Sequence, residues 1–114
     1  MLKNDEIRIR HILDAAREAV DFSYGQSRED LSRNRMLNLS LVRLLEIIGE
    51  AARGLSPTFV TAHPEIPWKK MSGIRDRLIH GYFDVNLDVV WETVTEDLPP
   101  LITHLEKIFG SEKV

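Results

Sequence analysis

With 114 residues, 43% hydrophobic and 29% charged, the chain has room for one domain with a modest core and too little for two. Cysteine is absent, which excludes disulfides, thiolate metal sites and a thiol nucleophile. The net charge of −3 argues against a protein that coats nucleic acid.

In chain order, Met1 to Arg10 is charged and quickly amphipathic, unlike a signal peptide. A first helix is expected from about Asp5 to Ser23, capped by Asn4 or Asp5 and ended by Gly25. Ile9, Ile12, Leu13, Ala16, Ala19, Val20 and Tyr24 recur at helical spacing and are assigned to the core. Ser27 to Asn34 is polar, a short helical turn or lead-in. The second long helix is expected over about Arg35 to Gly54, with Leu37, Leu41, Leu44, Leu45, Ile48, Ala52 and Leu55 on one face. Gly49 inside it costs about 1 kcal/mol relative to alanine, so it points to close approach by another helix or a ligand.

Ser56-Pro57 is a cap followed by proline at the first helical position, and the short helix it opens should end before His63-Pro64. Pro67 opens a helix from about Trp68 to His80 that Gly81 terminates. Asn86 caps a helix over Leu87 to Asp97, which Pro99-Pro100 should break or sharply kink. A last segment, Leu101 to Phe109, returns Leu101, Ile102, Leu105, Ile108 and Phe109 to the core. No strand pattern and no membrane-spanning run occurs, so the expectation is an all-α, four- to five-helix up-and-down bundle over residues 1–114, located in the cytoplasm.

The helix from Pro67 to Gly81 carries the unusual features. Trp68, Met71, Ile74, Leu78, Ile79 and Tyr82 form a broad apolar arc with Arg75 near its middle. A guanidinium there must meet a carboxylate, a phosphate or water in a cleft. Asp76 and His80, four apart, share a side. Arg75 and His80, five apart, diverge by about 140° on a straight helix. Either the arginine swings round or the helix unwinds near His80. Lys69, Lys70, Arg75 and Arg77 make this stretch basic, whereas Asp84, Asp88, Glu92, Glu96 and Asp97 make the next one acidic.

Arg75-Asp-Arg-Leu-Ile-His80-Gly-Tyr82 matches an Arg-x4-His-x-Tyr signature and, with Leu44-Glu-Ile-Ile-Gly-Glu-Ala-Ala52 and Pro67-Trp-Lys-Lys-Met-Ser-Gly-Ile-Arg75, resembles the HepT-like group of HEPN-domain proteins. The resemblance implies a metal-independent endoribonuclease, acting as a homodimer and needing no cofactor. It further implies the toxin of a type VII-like toxin–antitoxin system, whose MntA-like nucleotidyltransferase partner adenylylates the signature tyrosine, here Tyr82. Arg75 and His80 would be catalytic, with Asp76 and Tyr82 in support.

The chemistry suits those side chains. Metal-free RNA cleavage can use the 2′-hydroxyl against its own 3′-phosphate, which calls for a base, an acid and a cation. Imidazole ordinarily titrates near neutrality, and a guanidinium offers charge-assisted donors to phosphate oxygens. Each chain supplies one such histidine, so acid and base together imply two copies about a two-fold axis.

Lys69, Lys70 and Arg77 are candidate RNA contacts, although a solvated helix face is the better account of the two lysines. His11, His63 and His104 lack metal-ligand spacing, and the acidic run alternates with apolar residues as an amphipathic helix does. The competing account of the pair itself is structural: Arg75 bridging to Glu46 or Glu50, and His80 on the helix dipole. That account leaves a non-catalytic nucleotide- or RNA-binding subunit of a nucleotidyltransferase complex, or a plain dimerising scaffold.

Overall fold

The two longest elements follow the apolar spacing of the sequence. In a computed structural model that describes residues 1–79 and 84–112, α1 (Lys3–Ser23) and α3 (Arg35–Arg53) lie antiparallel and share the core. Ile9, Ile12, Ala16 and Ala19 of α1 meet Leu41, Leu45 and Ile48 of α3, all of them shut off from solvent. Burial of each large aliphatic side chain contributes about 1.5–3 kcal/mol before the cost of ordering it.

Between these helices runs the short α2 (Arg28–Arg33), whose start is held by Asp30 accepting the Ser27 amide at 2.7 Å. Tyr24 does not join the core. It is 86% exposed, because its extended backbone leaves the helical register one residue before Gly25 turns the chain at φ 75°.

Asp5 is also not the cap of α1. The helix already begins at Lys3, and the Asp5 carboxylate is buried and aimed at α4 (Pro57–Ala62). Its two oxygens accept the Ser56 amide at 2.9 Å and the Ser56 hydroxyl at 2.7 Å. The Ser56 hydroxyl oxygen in turn accepts the Phe59 amide at 3.2 Å. A carboxylate that looked local thus closes a cap 51 residues away.

The expected helix from Trp68 to His80 is two short helices, α5 (Trp68–Ser72) and α6 (Ile74–Leu78). Gly73 separates them at φ −89°, ψ 7°. Part of the reason lies on α3, where Arg53 Nε donates to the Ser72 carbonyl at 2.9 Å. Trp68 and Met71 are core residues, and the Trp68 indole N–H donates to the His63 carbonyl at 2.8 Å.

Pro99 and Pro100 do not break the chain's last helix. α7 (Leu87–Glu92) runs through a π-helical turn, Thr93–Asp97, into α8 (Leu98–Glu112), and both prolines sit in the first turn of α8. The turn is closed by the Leu98 amide donating to the Thr93 carbonyl, five residues back. Proline lacks an N–H and its ring crowds the carbonyl four residues earlier, and a locally widened turn accommodates both defects. Asn86 caps α7 by accepting the Val89 amide at 3.2 Å, as its position predicts. Arg28 ties α2 to α7 through Asp88 at 2.7 Å. The all-α bundle is therefore built on α1, α3 and the α7–α8 rod, with α5 and α6 laid across α3.

Candidate active site

The site is organised by the contact between α3 and the short α6. Gly49 of α3 lets α6 approach: a Cβ at this position would lie 3.0 Å from Ile74 Cγ2 and 3.2 Å from the Met71 carbonyl oxygen. The close approach that the interior glycine foretold is therefore that of α5 and α6. One helical turn before Gly49 stands Glu46, and one turn after it stands Arg53, on the same side of α3.

Both reach α6. Arg75 Nε lies 3.9 Å from Glu46 Oε2, and Arg53 Nη2 lies 3.7 Å from Asp76 Oδ2. Arg75 is not embedded in an apolar arc as its helical position suggested. Its side chain is 58% exposed against 19% for Glu46, because α6 packs through Ile74 and Leu78 and turns Arg75 toward solvent. Asp76, 81% exposed, is aimed at Arg53.

The helix also stops earlier than its apolar pattern implied. Leu78 is the last residue of α6, and Ile79 is extended at φ −115°, ψ 115°. Ile79 pairs with Val85 in an isolated antiparallel bridge, and the Asn86 amide donates to the Leu78 carbonyl at 2.7 Å. The straight-helix separation of about 140° between Arg75 and His80 therefore does not apply, since α-helical geometry ends before residue 80. His80 and Tyr82 lie outside the described residues.

The other cations of this stretch divide. Arg77 is two residues from Arg75, about 200° round the helix, and borders a small apolar crevice with Met71, Ile74, Thr93 and Leu98. Among the described residues its buried Nε has no hydrogen-bond partner. Lys70 closes the same crevice and pairs with Asp97 at 3.1 Å. Ile48 of α3 also lines this crevice, whereas Lys69 is exposed. Of the residues flagged for RNA contact, Lys70 thus serves first to join α5 to the π-helical turn.

Among the described residues no group of three or more His, Asp or Glu side chains is arranged to hold a metal ion. His63 ends α4, packs its ring tilted against Phe59 with ring centroids 4.6 Å apart, and faces Glu65 at 3.5 Å. From the sequence, Glu46 is named only as a structural partner for Arg75, and Arg53 is given no role. Their seven-residue separation, bracketing an interior glycine, is the pattern that would have revealed both.

The chain is similar to one known family and to several of its named members. The family model described as HepT-like, "Ribonuclease HepT-like", matches residues 12–108. A protein of Caldanaerobacter subterraneus subsp. tengcongensis named "Putative RNase" is 38% identical over 112 residues, covering 98% of this chain and all of its own. A "Probable ribonuclease HepT" of Thermococcus cleftensis is 37% identical over 108 residues, 95% of this chain and 98% of its own. A "Putative RNase" of Methanocaldococcus jannaschii is 33% identical over 97 residues, 85% of this chain and 80% of its own. No solved structure matches the chain.

Proposed function

Because the chain belongs to the HepT-like ribonuclease family, we propose that it is a metal-independent endoribonuclease whose catalytic groups are Arg75 and His80. The observation that supports this most is the setting of Arg75: an exposed guanidinium on a short helix that is clamped to α3, directly before the chain leaves helical geometry. A cation held this way is accessible to a phosphate and does not have to be drawn out of the core.

In the proposed reaction the 2′-oxygen of RNA bonds to the adjacent phosphorus while its proton passes to one imidazole. The bond to the 5′-oxygen breaks, and that oxygen takes a proton from a second imidazole, leaving a 2′,3′-cyclic phosphate and a 5′-hydroxyl. Guanidinium donors stabilise the charge that builds on the equatorial phosphate oxygens. A homodimer supplies the two histidines, His80 of each subunit, around one phosphodiester.

Asp76 supports the site from α6 and Tyr82 contacts the substrate by stacking or by hydrogen bonding. As the toxin of a toxin–antitoxin pair, the protein is restrained by a nucleotidyltransferase that adenylylates Tyr82. The added phosphate brings bulk and negative charge where the RNA phosphate binds.

The test is cleavage of single-stranded RNA in EDTA by protein purified without the nucleotidyltransferase. Arg75→Ala and His80→Ala should each lower the rate by at least about 100-fold, in the range of a lost acid–base or charge-stabilising group. His80→Ala protein that cuts at the wild-type rate rejects the assignment. Co-expression with the transferase should add one or more AMP units to the peptide bearing Tyr82 and to no peptide of Tyr82→Phe.

A further inference from the structure

We infer that Glu46 is a positioning residue for Arg75, a role that rests on the ribonuclease reading of that arginine. Arg75 sits on a five-residue helix and is more than half exposed, so nothing on α6 itself fixes its long side chain. A mobile guanidinium loses rotamer freedom each time it binds a phosphate. Glu46 differs in every respect. It stands on the 19-residue α3, between the fully buried Leu45 and the partly buried Ile47, and its own side chain is largely covered.

The geometry of the pair gives it its use. Glu46 Oε2 faces Nε of Arg75 at 3.9 Å, an ion pair and not a hydrogen bond. A guanidinium has two edges able to grip an oxyanion: one combines Nε with a terminal nitrogen, the other combines both terminal nitrogens. A carboxylate on the Nε side leaves the terminal edge free for a phosphate. It also sets the direction in which that edge points.

The tether does not act alone. Gly49, three residues along, admits Ile74 and the Met71 carbonyl, and Arg53 holds the Ser72 carbonyl and faces Asp76. One face of α3 thus meets the backbone before Arg75 and the side chains on either side of it, Ile74 and Asp76.

A double-substitution cycle tests the inference: single-turnover cleavage of a mixed-sequence single-stranded RNA by wild type, Glu46→Gln, Arg75→Lys and the double variant. Glu46→Gln should slow cleavage about tenfold in the wild-type background, since misplacing a catalytic group by a fraction of an ångström is costly. In the Arg75→Lys background it should slow it by less than about twofold, because lysine has no Nε edge for the carboxylate to hold. Glu46→Asp should recover part of the loss. Equal slowing in both backgrounds, or none in the first, overturns the inference.

A second measurement does not depend on cleavage. The 15N–1H resonance of Arg75 Nε, assigned by its loss in Arg75→Lys, should shift in Glu46→Gln protein while the backbone amide spectrum stays folded. An unmoved resonance removes the tether even if Arg75 proves catalytic. Wild-type cleavage by Arg75→Lys and Arg75→Ala alike would instead remove the ribonuclease reading of the arginine, and the positioning role with it.

Discussion

Gly73 and Pro99-Pro100 make an instructive pair. A glycine that helix propensity tolerates interrupts one helix, whereas two consecutive prolines lie within another that continues past them. The difference lies in where the backbone groups find partners. At Gly73 the preceding carbonyl accepts from Arg53 of α3, and close packing of Ile74 on Gly49 fixes the new direction. At Pro99 the preceding turn widens to a five-residue bond, Thr93 stays buried with its hydroxyl donating to the Val89 carbonyl at 2.7 Å, and the rod goes on. Interruption is thus decided by the neighbours of the backbone and less by the residue that seems to demand it.

Three substitutions can break or sharpen this contrast. The largest effect is expected from Ile74→Ala, which empties the seat on Gly49 of a fully buried side chain and should cost about 2–5 kcal/mol in denaturant unfolding. A cost below about 1 kcal/mol would mean that α3 does not hold α6. Gly49→Ala comes next. Its methyl must push Ile74 and the Met71 carbonyl aside at about 1–3 kcal/mol, offset by about 1 kcal/mol of gained helix propensity. It should destabilise modestly, and it should lower RNA cleavage by more than its stability loss explains, because it moves the helix that carries Arg75.

The smallest effect is expected from Gly73→Ala. Its φ is negative, and its new Cβ meets the Lys69 carbonyl oxygen only at an ordinary 3.4 Å, so stability should change by less than about 0.5 kcal/mol. The amide spectrum should still show two helices. Fusion of α5 and α6 into one would show that glycine itself, and not α3, makes the break.

The sequence by itself determined the fold class, the long helices and their buried faces, the caps at Ser56 and Asn86, and the close approach at Gly49. It also picked out the signature that marks the family. These are local or periodic properties, fixed by 3.6-residue spacing and by the hydrogen-bonding habits of single residues. Tertiary structure alone decided that Asp5 braces the Ser56 cap 51 residues away, that Tyr24 faces solvent, and that the arginine helix stops at Leu78. It alone set Arg75 outward beside Glu46. Each of these depends on a partner distant in sequence, and no pattern along one segment records which side of a neighbouring helix that partner will occupy.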